Sequence, residues 1–222
     1  MKVRVIAAHP DDELLGVGAT LARHVEAGDE VHAVVVSEGA SSRYEEGAQN
    51  TLQEAGKKAA KLLGFASIQF LGYPDQRLDT VPLIELTQRI EKTLDAVAPR
   101  VLYTHHWGDL NRDHRIVCEA VSVASRPIGE LFPREIYCFE TPSSTEWSLP
   151  DPASAFVPNH FVDVTATLDK KLAAMSCYET ELRPPPHPRS LEALRARAHY
   201  WGQIVTRPYA EAFALLRSVV TP

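Results

Sequence analysis

The segment KVRVIAAHPDDELLGVGATLARHVE, residues 2–26, decides the fold because it joins an apolar strand, a polar turn and a helix. Residues 2–8 are largely apolar and β-branched, which is typical of a strand covered on both faces. Residues 16–26 have helical spacing, with Leu21 and Val25 on one face. A buried strand that leads straight into a helix predicts the first unit of a parallel α/β sheet.

The same alternation continues outward from this segment to residue 140. Further strands are predicted at 30–38, 67–73, 100–106 and 135–140, with helices ending near residue 63 and at 83–98 and 113–125. Beyond them lie a loop rich in Pro and Ser (141–159), a short strand (161–165) and three helices at 166–179, 190–203 and 209–218. We therefore predict one α/β domain over residues 1–222, with a mostly parallel sheet and helices on both of its faces.

Composition restricts the class of protein. The 222 residues are 45% hydrophobic and carry a formal net charge of −6, which argues against nucleic acid as the main partner. Three widely spaced cysteines indicate reduced thiols in a reducing compartment. The short apolar start does not resemble an export signal, and no run is long enough to span a bilayer. We expect a cytoplasmic protein without a transmembrane segment, although its substrate could still be a lipid head group.

Two polar clusters follow predicted strands. HPDD follows the first strand and HHWGDLNRDH follows the fourth, more than 90 residues later. In open α/β sheets, ligands bind beyond the carboxyl ends of the strands, so both clusters should meet at one edge. His9, Asp12 and His114 then make a His₂-carboxylate set of the kind that holds catalytic zinc.

In the same interpretation, the two carboxylates that do not bind the metal assist the reaction or the ligands. Asp11 is not needed for coordination and could accept a proton from an attacking water. Asp113 could hydrogen-bond a ligand imidazole. The competing interpretation is an ordinary loop whose aspartates cap the next helix. Of His105 and His106, strand alternation directs one into the site and one away.

The stretch AAHPDDELLGVGAT (7–20) resembles the most specific motif of the LmbE-like family, also called the PIG-L family of zinc N-deacetylases. THHWGDLNRDHR (104–115) is similar to that family's second motif, and similarity continues through YPDQRL (73–78) to RPYAEAFALLR (207–217). The resemblance implies a Rossmann-like three-layer sandwich and hydrolysis of an N-acetyl group, usually on a glucosamine-containing substrate.

Carried over position by position, the resemblance assigns His9, Asp12 and His114 as metal ligands and Asp11 as the general base. It also places Arg43 and Asp75 among the substrate-binding residues. Zinc is the implied cofactor, with iron(II) and cobalt as alternatives for such a donor set.

One position departs from the family pattern. Several members carry a histidine three residues before the last ligand, where it stabilises the charged intermediate, and this chain has Asn111 there. His187 in RPPPHPRS is our candidate replacement, because flanking prolines restrict the backbone and reduce the entropy lost on ordering. His106 is the second candidate, because it is closer in sequence to His114.

The leading functional hypothesis is a zinc N-deacetylase acting on a small N-acetyl amino sugar or glycoconjugate. The alternatives are an amidase for a thiol conjugate or another acyl amide, and a non-catalytic Rossmann-like binding module. An intact Asp11 argues against a pure binding module, which has no use for a spare base beside a metal ligand. The sequence leaves open whether the chain forms a homo-oligomer.

Overall fold

A computed structural model describes residues 1–40 and 48–220 of the chain. Within these ranges the strands are β1 Lys2–Ala7, β2 Glu30–Ser37, β3 Ser67–Tyr73, β4 Val101–His105, β5 Glu135–Phe139, β6 His160–Asp163 and β7 Ala210–Ser218. The α-helices are α1 Asp12–Glu26, α2 Ala48–Leu63, α3 Leu83–Val97, α4 Arg112–Ala124, α5 Leu168–Met175 and α6 Leu191–Ile204. Two short 3₁₀ helices span Leu78–Thr80 and Thr145–Trp147.

The strands form one mixed sheet in the order β3-β2-β1-β4-β5-β7-β6. The pairings of β1 with β2, β1 with β4, β2 with β3 and β4 with β5 are parallel. Strand β7 runs antiparallel to both of its neighbours, β5 and β6. The α/β class and the mostly parallel sheet are thus as predicted.

Helices cover both faces of the sheet and make it the middle of three layers. Val3 and Val5 of β1 pack with residues of α1, whereas Ile6 faces α3 and α4. This alternation explains why β1 is apolar almost throughout, since both of its faces are buried. Helices α2, α5 and α6 pack beside α1 through a further apolar cluster.

The pairing of β1 with β4 sets the position of the functional residues. From β1 the chain proceeds outward to β2 and β3, and it then returns to place β4 on the other side of β1. The carboxyl ends of β1 and β4 therefore flank the point where the strand order reverses, which is where open α/β sheets bind ligands. HPDD and HHWGDLNRDH lie at these two ends.

Gly16 allows α1 to approach the sheet closely. A Cβ atom at this position would lie 2.1 Å from Cδ2 of Phe139 on β5, a separation that no side chain tolerates. The glycine at this position of α1 therefore serves packing against β5.

The predicted helix at 209–218 is wrong, because these residues form β7. The first five residues of β7 are buried between β5 and β6, and Phe213 is fully buried. Alanine, glutamate and leucine favour a helix in isolation, but the two neighbouring strands override that preference.

Other element boundaries also differ from the prediction. Helix α1 begins at Asp12 rather than at residue 16, and α5 ends at Met175 rather than at residue 179. The predicted loop at 141–159 contains the short helix Thr145–Trp147. In the part of the chain described, none of the helices has the length and apolar character needed to cross a bilayer.

Candidate metal site and catalytic cavity

Three donor atoms, from the turn between β1 and α1, from α1 and from α4, meet at the carboxyl edge of the sheet. His9 Nδ1 lies 3.2 Å from Asp12 Oδ2 and 3.2 Å from His114 Nε2, and the latter two atoms are also 3.2 Å apart. All three residues are buried. The structure thus brings together the three residues that the sequence predicts as metal ligands.

The donor set fits a zinc ion in both chemistry and spacing. Zinc takes imidazole nitrogen and carboxylate oxygen, and bonds of about 2.0–2.2 Å place tetrahedral ligands about 3.3–3.6 Å apart. The observed separations of 3.2 Å come close to that spacing. Three protein donors also leave a fourth position for water or substrate, as catalytic zinc sites require.

Two carboxylates contact the imidazoles of His9 and His114 at the ring nitrogens that lie outside the triangle of donor atoms. Asp113 Oδ2 lies 3.2 Å from His9 Nε2, and Asp109 Oδ1 lies 3.1 Å from His114 Nδ1. Each carboxylate favours a proton on the imidazole nitrogen that faces it, which leaves the other nitrogen free to bind a metal. Asp75 Oδ1 also lies 3.4 Å from His9 Nε2, so this nitrogen faces two carboxylates.

The charges of this cluster shift the pKa of each member. Burial alone would lower the pKa of His9, but Asp113 and Asp12 outweigh it and raise the value to about 9. The pKa of His114 rises to about 10 in the same way, through Asp12 and Asp109. Burial would raise the pKa of Asp12, but the adjacent His114 and His9 hold it well below its usual range. The carboxylate is therefore ionised and ready to bind a cation.

Asp109 is buried and strongly hydrogen-bonded. Its carboxylate accepts hydrogen bonds from the hydroxyls of Ser144 and Thr145 and from the backbone N–H of Asn111. Burial opposes ionisation, yet His114 and the two hydroxyls lower the pKa of Asp109 to about 2. Asp109 therefore stays charged and can polarise the ligand imidazole.

Asp11 occupies a strained position beside Asp12. Its backbone has a φ of 100°, a region that non-glycine residues rarely adopt and that costs about 1–3 kcal/mol. The backbone N–H of Asp11 donates to Glu13 Oε2 at 3.1 Å, and Arg189 Nη1 lies 3.4 Å from Asp11 Oδ2. Burial and then Asp12 raise the pKa of Asp11 well above its usual range, against the opposing charge of Arg189. A carboxylate of raised basicity next to a metal ligand suits a general base.

His105 supports His114 and stays neutral. The N–H of Ala8 donates to His105 Nε2 at 2.9 Å, so the proton lies on Nδ1, which is 3.1 Å from Thr141 Oγ1. The rings of His105 and His114 stack with centroids 4.0 Å apart. Burial and then the neighbouring His114 hold the pKa of His105 well below its usual value. Of the pair His105 and His106, it is therefore His105 that faces the donor residues Asp12 and His114.

An open cavity lies over the donor atoms and brings most predicted residues together. Its walls include the predicted residues His9, Asp11, Asp12, Asp75, Asn111, His114 and His187. Residues that the sequence did not single out also contribute, among them Ser143, Ser144, Trp147, Glu181 and Arg189.

Two of the predicted residues in this wall have additional structural roles. Asn111 Oδ1 caps α4 by accepting from the N–H of Asp113 at 2.9 Å, which leaves its amide NH₂ as a donor. The ring of His187 is packed perpendicular to that of Trp147, with centroids 5.9 Å apart.

One predicted catalytic residue is not brought into this cavity. His106 is absent from its lining, and its Nε2 lies 2.9 Å from the carbonyl oxygen of Ser154, with Trp107 and Phe156 packed against the ring. His106 therefore anchors the loop at 141–159 instead of facing the metal ligands. Arg43 lies outside the described residues.

The sequence prediction left open which of His105 and His106 faces the site, and it overlooked Asp109 and Arg189. Asp109 sits at the same strand end as His114, five residues earlier, so its placement was a signal that could have been used. His105 follows from strand alternation. Arg189 lies in the same proline-rich segment as His187, but its contact with Asp11 joins residues 178 positions apart, which no local pattern predicts.

Comparison with known families fits this geometry. The PIG-L family, described as GlcNAc-PI de-N-acetylase, matches residues 4–125, which contain every donor atom of the site. The chain belongs to the PIG-L family. An uncharacterized deacetylase of this kind, YaiS of Escherichia coli, is 31% identical over 173 residues, covering 76% of this chain and 89% of YaiS.

Other named proteins also align over most of the chain. Diacetylchitobiose deacetylase of Thermococcus kodakarensis is 25% identical over 242 residues, with 98% of this chain and 84% of the relative covered. The 4-oxalmesaconate hydratase of Pseudomonas putida is 28% identical over 200 residues, covering 78% and 71%. Among solved structures, the conserved protein TT1542 of Thermus thermophilus superposes with a TM-score of 0.79 at 26% identity, covering 99% and 96%.

Proposed function

We propose that this PIG-L protein is a zinc-dependent N-deacetylase that removes acetate from an N-acetylglucosamine-type amino sugar or its conjugate. The observation that carries the proposal is the triangle of His9 Nδ1, Asp12 Oδ2 and His114 Nε2, with sides of 3.2 Å, at the floor of a cavity that Asp11 also lines. Iron(II) is an alternative metal for the same donors.

The reaction needs a nucleophile, a base and an acid. A bound zinc ion would polarise the substrate carbonyl and lower the pKa of water at the open position. Asp11 accepts a proton from the attacking water while the oxygen of that water bonds to the carbonyl carbon of the substrate. The C–N bond then breaks, and the proton held by Asp11 is returned to the departing amine. Burial, which raises the basicity of Asp11, suits both steps.

The developing negative charge on the carbonyl oxygen needs a donor in addition to the metal. His187 lies in the cavity wall between prolines and can supply one, while the NH₂ group of Asn111 offers a second donor in the same cavity. His106 is the weaker candidate for this role, because its Nε2 lies 2.9 Å from the carbonyl oxygen of Ser154. Asp109 and Asp113 assist by fixing the two ligand imidazoles.

Polar groups at the cavity are proposed to bind and select the substrate. Asp75 is buried in the cavity wall and can accept hydrogen bonds from sugar hydroxyls. Arg43 is proposed to bind hydroxyls or a linked phosphate. An N-acetyl amino sugar is supported by the names of the relatives, which include a diacetylchitobiose deacetylase. The free cysteines support the cytoplasm as the compartment.

Acetate release from a panel of N-acetyl sugars tests the proposal directly. The zinc-loaded protein should release acetate from at least one member, and Asp11→Asn should lower the rate by about two to four orders of magnitude while keeping its zinc. Elemental analysis of zinc content tests metal binding without depending on activity. A zinc-free active enzyme, or an Asp11→Asn variant of normal rate, would contradict the proposed mechanism.

A hydratase among the relatives makes a second reaction worth measuring in the same assay. A hydratase adds water to a carbon–carbon double bond and releases no acetate. Loss of the ultraviolet absorbance of an unsaturated tricarboxylate of the kind that this relative's name implies, with no acetate formed from any sugar, would favour that reaction. Cleavage of thiol conjugates or of other acyl amides alone would favour the amidase alternative.

A further inference from the structure

Trp147 is a large aromatic residue that remains 52% exposed in the wall of the catalytic cavity. It ends the short helix Thr145–Trp147, within the loop that follows β5. Burying aromatic surface is favourable, so an indole left in contact with water inside a concave site is a natural contact for a ligand.

The backbone that carries Trp147 is firmly held. Its N–H donates to the carbonyl oxygen of Ser144 at 3.2 Å, and Thr145 Oγ1 donates to Asp109 at 2.6 Å. Thr145 Oγ1 also accepts from the N–H of Thr141 at 2.7 Å. The backbone that carries the indole is therefore connected, through Asp109, to the residues that orient His114. Because this backbone is already ordered, binding a ligand there should cost the protein little conformational entropy.

The surroundings of Trp147 define the class of ligand. The cavity floor consists of carboxylates and imidazoles, whereas this part of its wall presents an aromatic surface. A pyranose ring has the matching character, with hydroxyls around its edge and C–H groups that form an apolar face. The slightly positive C–H groups are attracted to the negative face of an indole.

We propose that Trp147 forms an aromatic subsite that packs against the C–H face of a substrate pyranose ring. The inference rests on the proposed deacetylase function and adds a residue that determines substrate affinity. The stacked ring is either the acetylated sugar itself or the sugar linked to it, and the two cases are separated by the choice of ligand.

Direct binding to zinc-loaded protein provides the test, with Asp11→Asn as the background so that the ligand is not consumed. Isothermal titration calorimetry would compare N-acetylglucosamine and N,N′-diacetylchitobiose on the background protein and after Trp147→Ala or Trp147→Phe. Trp107→Ala is the matched control, since Trp107 is 42% exposed but does not line the cavity.

Trp147→Ala should weaken binding about ten-fold, and Trp147→Phe should recover much of the loss. Weakening with both sugars identifies the ring whose acetyl group is hydrolysed as the stacked one, whereas weakening with the disaccharide alone identifies the ring linked to it. The control should bind both sugars normally. Two results would overturn the subsite. One is a folded Trp147→Ala protein whose Kd values for both sugars lie within two-fold of those of the background protein. The other is a background protein that binds neither sugar.

Acetate release by Trp147→Ala and Trp147→Phe, made with Asp11 unchanged, distinguishes a failure of the subsite from a failure of the deacetylase function. Normal KM in Trp147→Ala together with normal acetate release would refute the subsite and leave the deacetylase function standing. Trp147-dependent sugar binding without acetate release from any sugar would refute the function and leave the subsite standing.

Discussion

Asp109 Oδ1 lies 3.1 Å from His114 Nδ1, and the same carboxylate accepts a 2.6 Å hydrogen bond from Thr145 Oγ1. One buried carboxylate thus connects a metal-ligand candidate to the loop that forms part of the cavity wall. The connection has consequences for metal affinity that can be measured.

Asp109→Asn should reduce zinc affinity about 10–100-fold, because the neutral amide no longer enforces the orientation and protonation of the His114 ring. Competition with a chromogenic chelator measures the affinity. Asp151→Asn is the control, since this exposed aspartate lies in the same loop and its carboxylate accepts a hydrogen bond from the backbone N–H of Ala153. Equal zinc affinity in wild type and Asp109→Asn would remove Asp109 from the site.

His187→Ala and His106→Ala should have opposite effects. His187 lines the cavity, so its loss should lower kcat about 100-fold while zinc content and melting temperature stay normal. His106 contacts the carbonyl of Ser154 outside the cavity lining, so its loss should lower the melting temperature and leave kcat nearly unchanged. Steady-state kinetics and thermal unfolding of both variants decide the assignment. The reverse pattern would return the catalytic role to His106.

Asn111→Ala should destabilise the fold by about 1 kcal/mol, because it removes the side-chain cap of α4. For a chain of this size the melting temperature should fall by about 2–4 °C. Asn111→Asp retains an oxygen that can cap the helix and should stay near the wild-type temperature. Identical melting temperatures for all three proteins would show that this cap contributes nothing.

Much of the site follows from the sequence because two motifs end two neighbouring parallel strands. His9, Asp12 and His114 are each fixed by a local strand-to-helix junction, and the topology of the sheet then brings the junctions together. The position of β7 did not follow, since its helical composition is overridden by hydrogen bonding to β5 and β6. Arg189 was also overlooked, because its contact with Asp11 depends on the folding of the whole C-terminal segment.

Zinc binding should release protons and should strengthen as the pH rises. The metal-free site holds the pKa of His9 at about 9 and that of His114 at about 10, so this pair of imidazoles carries positive charge near pH 7. Zinc requires them neutral, so binding displaces these protons. Calorimetry in buffers of different ionisation enthalpy counts them. No dependence on the buffer at pH 7 would contradict the ionised cluster.

The same shifts predict how stability varies with pH. Folding raises the pKa values of His9 and His114, so protonation of these two residues stabilises the metal-free fold. This stabilisation is complete below their unfolded pKa of about 6.5 and is lost as the pH rises through about 9–10. The zinc-loaded fold does not depend on those protons. The gap in melting temperature between zinc-loaded and chelator-treated protein should therefore widen from pH 6 to pH 9, and a gap that narrows would contradict this interpretation.

The zinc content of His114→Ala is the most direct test of the account, because the proposed chemistry requires the triangle of His9, Asp12 and His114. After equal zinc loading and dialysis, wild type and the control His32→Ala should retain about one zinc ion per chain by elemental analysis. His32 lies on β2, where its Nδ1 is 2.9 Å from Ser67 Oγ. The account predicts almost no zinc in folded His114→Ala, and full occupancy in that variant would contradict it.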